Sequence, residues 1–593
     1  MSLPYAKLVE YYAKIEATTK RLEMTDLLVC MFKETPPEDI RAVCYLTLGR
    51  IGPEYMGLET GLADRNIIKA ISLAYAASER DVDRLYKEKG DLGEVAAEFS
   101  AKKGRRVSLV GFFEEVEPLT VREVYDRLVM ICRYSGEGAI QRKINTFAGL
   151  LSRASPNEAR YLVRTVLGKL RLGVADMTLL DALAEVFGLG REQRSVIERA
   201  YNLCSDIGLV AETLAKEGVE GVKRISVQIG VPIRVMLAQR LSSVEEIFKK
   251  LGKPVAAEYK YDGERMQIHK HGDEVTIFSR RQENITYQYP DVVKYVRNYV
   301  KATDAIVEAE CVAINPDTGE MRPFQELMHR RRKYGIEEAI REYPVKLFFF
   351  DAIFIDGQLL IDKPYPERRK VLEQIIEESE HTCLAQAIVT DDPKELEAFF
   401  EQAVSEGCEG LVVKSVRPDS VYQAGARGWL WIKYKRDYKS ELQDTIDVVV
   451  VGAFYGMGRR AGTYGALLVA TYNPDKEMFE TLCKVGTGFT DEDLKRLPEW
   501  LDPYKIPHRH ARVFSKMNAD VWFEPARVIE ITGAEITLSP VHTCAYGVVR
   551  EGVGLAVRFP RFTGRYREDK GPQDATTSQE IVEMYRRQLK KIA

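Results

Sequence analysis

The hydrophobic pattern changes period part-way along the chain, and that change constrains the fold more than any single motif. From Tyr5 to about Glu217 apolar residues recur at three- and four-residue steps with few alternating runs, as Tyr161, Leu162, Val166, Leu167 and Leu170 illustrate. This predicts an all-α region. Between Gly218 and Pro232 the chain turns to short Gly- and Val-rich stretches, and from Arg234 strand-like runs with helical interludes take over. After about Lys439, the runs Thr445 to Gly452, Tyr464 to Tyr472, Phe479 to Val485 and Val528 to Thr532 read as strands between Gly-rich turns. With no long helical run among them, they fit a small barrel of the OB kind. Three regions follow: 1–217, 218–439 and 440–593.

Such a division suits 593 residues, more than one hydrophobic core serves. A hydrophobic content of 45%, with no apolar run long enough for a bilayer, describes a globular chain. The opening Met-Ser-Leu-Pro-Tyr-Ala-Lys lacks the charged and apolar regions of a signal peptide, so an intracellular protein is expected. The nine cysteines include no Cys-x-x-Cys pair, which argues against structural zinc. A net charge of -3 does not exclude a nucleic-acid partner, because phosphate contacts need only a basic face.

The stretch Val255 to Arg265 delivers one lysine, Lys260, from a short apolar run into a Tyr-Asp-Gly turn, flanked by Glu258 and Arg265. A lysine in such a place serves as a nucleophile if its surroundings favour the neutral amine. An ordinary lysine titrates near pH 10.4, so neutrality at pH 7 costs about 4 to 5 kcal/mol. Desolvation and the Arg265 cation are expected to supply it. Lys-x-Asp-Gly alone also fits a surface hairpin; what distinguishes the two is the order of further motifs.

Met266 to Lys270 and Val275 to Ser279 alternate around His271-Gly-Asp, a hairpin that ends at Ser279-Arg280-Arg281. Ile306 to Ile314 is a buried-looking strand carrying Glu308 and Glu310, and a charged residue there needs a partner. By alternation Glu308 is expected on the solvent side. Lys346 to Gly357 is too aromatic to be other than a core strand, with Phe350 in it. Cys408 to Ser415 places Glu409 and Lys414 at opposite ends of another strand, and a carboxylate there suits a hard divalent cation. In Trp429 to Tyr438, Lys433 and Lys435 point the same way from a strand and form a phosphate clamp.

In this order the motifs resemble the covalent nucleotidyltransferase superfamily of DNA ligases, RNA ligases and capping enzymes. The length, the helical first third and the basic tail Arg558 to Lys570 resemble ATP-dependent DNA ligases of the archaeal and eukaryotic replicative type. The resemblance implies a helical DNA-binding domain, an α+β, ATP-grasp-like adenylation domain with antiparallel sheets, and a C-terminal OB-fold barrel. It implies nick sealing in replication, repair and recombination through a lysyl-AMP intermediate on Lys260, with ATP and Mg²⁺ or Mn²⁺. The nucleotide-binding set it implies is Glu258, Arg265, Arg280, Glu310, Phe350, Arg427, Lys433, Lys435, Arg558, Arg561 and Lys570. Phe350 takes the base-stacking position, Lys433 and Lys435 the α-phosphate, and Glu310 the ribose and metal, with Glu409 a second metal ligand.

Lys169 to Leu183 resembles a segment of the helical DNA-binding domain, and Arg142, Lys143, Arg164, Lys169 and Arg171 are candidate phosphate contacts or a solvated helix face. Phe112 and Phe113 stand where archaeal ligases carry a sliding-clamp peptide, without its leading glutamine, or are packing residues. A monomer is expected. An RNA ligase or capping enzyme shares the lysine motif but not the helical third or the tail. A non-catalytic nick-binding scaffold would form no covalent adduct.

Overall fold

The computed structural model describes residues 2–107, 117–314, 321–322, 324–330, 332, 335–435, 444–456, 463–533, 535–539, 541–558 and 560–590. The chain divides into two compact units: Met1–Gln239, Phe248–Asp391 and Val412–Ile432 form one, and Arg240–Ile247, Asp392–Leu411 and Lys433–Ala593 the other.

In the first unit, twelve α-helices among the described residues run from Tyr5–Glu16 to Ile207–Lys223 around one apolar core. Helix Pro156–Val166 begins with proline, and the Glu158 carboxylate accepts from the Ser155 N–H at 2.8 Å. It buries Tyr161, Leu162 and Val166, the residues whose spacing announced it. The last helix is interrupted at Gly218, whose φ of 67° no helix tolerates. The sequence pattern changes at the same residue.

Two of the five basic candidates are not on a solvated face. Lys143 is buried and donates to the Thr60 carbonyl at 2.8 Å. Arg164 is buried among Glu16, Asp91 and Glu94, at 2.8, 2.8 and 3.1 Å. A buried guanidinium needs such partners, so these charges hold helices together. Arg142 and Arg171 are exposed and Lys169 half-buried.

The middle of the chain builds a sheet in the order Glu274–Ser279, Glu264–His271, Asp304–Ala313, Val345–Ile355 and Gln358–Leu359. These pairs are antiparallel, and Thr382–Leu384 adds a parallel partner to Val345–Ile355. The expected hairpin is present, with Met266 opposite Ser279 and His271 opposite Glu274. One face packs Met266, Ile268, Val307 and Phe349 against Val292, Val296 and Leu372 of two helices. Alternation usually leaves the other face wet. Here Gln267 and His269 are buried too, because the segment leaving the helical region is bound to them. Gln267 Oε1 accepts from Ile233 N–H at 2.8 Å, and His269 Nδ1 from Gly230 N–H at 3.0 Å. Burial pushes the His269 imidazole down to about 3, so at neutral pH it is the uncharged acceptor this contact requires. The same face meets Tyr422, Leu430 and Trp431 through Ile306 and Ile353. A five-stranded sheet has the order Gln239–Arg240, Trp431–Lys435, Gly410–Ser415, Val255–Lys260 and Ala387–Thr390.

The C-terminal region is a half-barrel of the OB kind. Its main sheet runs Lys505–Ile506, Val521–Thr532, Ile446–Tyr455, Tyr464–Asn473, Met478–Val485 and Val513–Phe514, with Arg561–Tyr566 also paired on Val521–Thr532. Contrary to expectation it contains helices, Asp491–Leu501 and Ser578–Lys590. Leu494, Leu497 and Leu501 carry the helical spacing and are buried, and Asp493 N–H donates to Thr490 Oγ1 at the N-terminus. Pro498 inside the first helix hid it. Among the described residues, no helix is long and apolar enough to cross a membrane.

Candidate nucleotide site

The turn after Lys260 has a structural reason at each position. Lys260 ends its strand half-buried. The Tyr261 ring stacks on Phe348, centroids 3.9 Å apart, and its hydroxyl accepts from Gln386 N–H at 3.1 Å. Asp262 Oδ2 accepts from Phe324 N–H at 3.3 Å. A Cβ on Gly263 would lie 2.3 Å from the Cys311 carbonyl oxygen, so only glycine lets the turn pass the central strand. Gly263→Ala is therefore expected to destabilise the protein by about 2 to 3 kcal/mol or more and to displace Lys260. Urea unfolding together with the rate of self-adenylation checks this, and an unchanged midpoint contradicts it.

Across the central sheet, Arg265 stands opposite Glu310 in register. Its Nη2 donates to both Glu308 oxygens at 3.0 and 2.8 Å, and its Nη1 to the Met236 carbonyl at 2.8 Å. Burial works against the Arg265 charge, and Glu308 more than offsets it, so the guanidinium holds its proton more tightly than usual. Glu308 corrects the sequence reading: it is fully buried, also accepting from the Tyr422 hydroxyl at 2.9 Å. Residues two apart share a face of a strand, so depth along the strand, not side, separates Glu308 from half-buried Glu310. Arg265 is thus committed to a carboxylate rather than offered as a bare cation beside Lys260.

Arg280 follows strand Glu274–Ser279 and is exposed. Desolvation, then the charges of Arg265, Arg427 and Arg281, lower its affinity for a proton, and Glu310 only partly compensates. Arg280 is thus opposed by like charges with one carboxylate against them, and a bound anion relieves that repulsion. Half-buried Phe350 lies beside Arg265: the guanidinium is 5.2 Å from the ring centroid, and Trp431 packs edge-on at 6.4 Å.

Beneath Phe350 lies a network that sequence reasoning missed. Lys414 is 1% exposed, with Nζ 2.6 Å from Glu258 Oε2 and donating to the Phe350 carbonyl at 3.1 Å. Trp431, Tyr365 and Phe350 surround it, with ring centroids 4.4, 4.6 and 5.3 Å away. Glu258 is itself 2% exposed, and its Oε1 accepts from the Tyr365 hydroxyl and, at 3.4 Å, from Arg369. Alongside, Asp351 and Arg368 form a fully buried bidentate pair at 2.7 and 3.0 Å. Burial alone would raise the Asp351 carboxyl, but the Arg368 charge and hydrogen bonds carry it below its usual range.

The second unit holds the remaining candidates. Glu409 pairs with Lys435. Lys433 and Lys435 are both half-buried while Tyr434 between them is buried, so the two lysines share a face as expected. Gly410, at φ 140°, would place a Cβ 2.2 Å from the Tyr434 carbonyl, which explains the glycine after Glu409. Lys570 Nζ lies 2.7 Å from Asp447 Oδ2, and Arg567 donates to Oδ1 of the same carboxylate at 2.9 Å. Arg561 is exposed at the start of its strand, and Arg558 ends strand Gly554–Arg558 opposite Glu535. Phe112 and Phe113 lie outside the described residues. Among those described, no group of three His, Cys, Asp or Glu is placed to hold a metal ion. Glu310 and Glu409 offer oxygen donors only, which suits Mg²⁺, an ion that keeps waters and binds chiefly through substrate phosphates.

Comparison with known proteins covers the whole length. Residues 4–184 match the model "DNA ligase N terminus", 235–435 the "ATP dependent DNA ligase domain" and 460–570 the "ATP dependent DNA ligase C terminal region". The chain is 57% identical to "DNA ligase 2" of Thermofilum pendens over 99% of this chain and 98% of that one. It is 54% identical to the "DNA ligase" of Staphylothermus marinus over the full length of both. The solved structure titled "Pmar-Lig_PreS3" shares the fold, with a TM-score of 0.53 at 17% identity over 94% of this chain and 99% of that one.

Proposed function

The chain belongs to the family of ATP-dependent DNA ligases, and from that premise we propose that Lys260 is its nucleophile and carries AMP between ATP and a DNA nick. The protein is a DNA ligase and uses ATP. In the first step the Lys260 amine attacks the α-phosphorus, an N–P bond forms, and the bond to pyrophosphate breaks. The 5′-phosphate of the nick then takes the AMP from Lys260. Last, the 3′-hydroxyl attacks that phosphate and AMP leaves.

Positioning and charge neutralisation do most of such work. The observation that carries the reading is geometric: Arg265, opposite Glu310 in register, lies 5.2 Å from the Phe350 ring centroid, and Arg280, whose charge Arg265 and Arg427 oppose, gains from a bound anion. Phe350 stacks on the base, worth on the order of 1 to 3 kcal/mol. Glu258 faces the base edge, the arginines and Glu310 hold the ribose and phosphates, and Lys433 and Lys435 meet the α-phosphate. Mg²⁺, when bound, neutralises phosphate charge; Glu310 would hold it, and Glu409 would do so after releasing Lys435. Arg558, Arg561 and Lys570 act on the pyrophosphate leaving group.

We assign DNA binding to residues 1–217, adenylation to 218–439 and the OB-fold to 440–593, with Phe112 and Phe113 either a sliding-clamp peptide or packing residues. Offering labelled ATP or GTP and then nicked DNA or RNA separates this reading from RNA ligase or capping activity. Binding to nicked duplex should weaken steeply with salt, each neutralised phosphate adding about 0.9 to the slope of log affinity against log salt. Replacing both Lys169 and Arg171 with alanine should lower that slope by roughly 2. Lys143→Met should leave it unchanged, since that amine is buried on Thr60. The reverse pattern in a salt titration contradicts the assignment.

A further inference from the structure

Lys414 is a buried cation that the three steps do not use. It is one of the largest fully buried side chains, and nothing about an ordinary strand end requires it. Burial lowers its affinity for a proton, and Glu258 and then Asp351 oppose that effect. Its ammonium has two directed contacts, the Glu258 carboxylate and the Phe350 carbonyl. These belong to the two residues assigned to the base: Glu258 on the strand that ends in Lys260, and Phe350 on strand Val345–Ile355 of the other sheet. The other Glu258 oxygen is fixed by Tyr365 and Arg369. Each carboxylate oxygen therefore has a protein partner that fixes it.

We propose that Lys414 is a positioning residue that sets the enzyme's preference among purine nucleotides by holding the Glu258 carboxylate against the base edge and Phe350 against the base face. The inference rests on the proposed contact of Glu258 and Phe350 with the base. An ionised carboxylate only accepts hydrogen bonds. It is complementary to the exocyclic amine of adenine and opposed to the carbonyl that hypoxanthine and guanine carry at the same position. Without Lys414, that carboxylate oxygen and the Phe350 carbonyl both lose their shared donor, so neither the base edge nor the base face is met in a fixed orientation. Discrimination then falls while the phosphate-handling groups are untouched.

The test is lysyl-AMP and lysyl-IMP formation by the full chain with ATP and ITP, together with sealing of a pre-adenylated nick. Lys414→Met is expected to raise KM for ATP about 10- to 100-fold with a smaller fall in kcat, and to lower the ATP-to-ITP ratio of kcat/KM about tenfold. Sealing of the pre-adenylated nick should stay within about threefold, because its adenylate is held at the site by the covalent link to bound DNA and depends less on the base contacts. Lys414→Arg, which keeps the charge, should recover part of the preference. If Lys414→Met does not fold, Tyr365→Phe, which loosens the other Glu258 oxygen, should shift the ratio in the same direction by a smaller factor. A wild-type ratio in a folded Lys414→Met, or, where that variant does not fold, in both Lys414→Arg and Tyr365→Phe, overturns the proposal. Glu258→Gln tells the two failures apart. If it also keeps the wild-type ratio, the assigned base contact is wrong; if it alone changes the ratio, the contact stands and Lys414 is only structural.

Discussion

Replacing Lys260 with alanine should abolish adduct formation, because no amine remains there to form the N–P bond, while leaving partial sealing of a nick that already carries 5′-linked AMP. Only the first two steps pass through that amine, so the third survives its loss. Lys260→Arg should fail as completely, since a guanidinium stays protonated and cannot attack phosphorus. The turn behind the lysine is held by Tyr261 on Phe348, Asp262 on Phe324 and Gly263 against Cys311, none of which depends on the amine. Both variants should therefore fold, and the loss should be chemical. Gel analysis of labelled adduct beside sealing of pre-adenylated DNA separates the steps.

A second large effect is expected at the far end of the chain. Arg561→Ala or Lys570→Ala should slow self-adenylation by about 10²-fold, comparable to removing one preorganised charge-stabilising donor, and largely spare sealing of a pre-adenylated nick. If these residues orient the departing pyrophosphate, their task ends when it leaves. Lys570 is ion-paired with Asp447 beside Arg567, and Arg561 is exposed, so Lys570 exchanges one anionic partner for another when it engages a phosphate. Should the tail contact only DNA phosphates, the opposite pattern follows: normal adduct formation, weaker nick binding and slower sealing. Measuring both steps on each variant distinguishes them.

The parts of this fold legible in the sequence are those whose cause is local. The helical period announced Pro156–Val166, the alternation around His271-Gly-Asp announced its hairpin, and the lysine and Glu-Gly motifs carry glycines that the backbone demands at Gly263 and Gly410. What stayed hidden is set by partners far along the chain. Arg164 looks like any surface arginine until Glu16, 148 residues away, is brought to it. Lys414 reads as the tail of a strand until Glu258 and three aromatic rings close around it. Glu308 and Glu310 look equivalent in a strand, and only the neighbouring Arg265 and Tyr422 decide which carboxylate is sealed in. In the barrel, Pro498 obscured a helix whose leucine spacing was otherwise plain.

The central claim is that one amine, Lys260, carries the nucleotide. Mass spectrometry of the intact protein after incubation with ATP and Mg²⁺, followed by peptide mapping, tests it most directly. The account predicts one AMP per chain, on the peptide spanning Val255 to Arg265 and specifically on Lys260, lost on addition of nicked duplex DNA. An AMP on any other residue, or no adduct from a protein that still seals nicks, contradicts it.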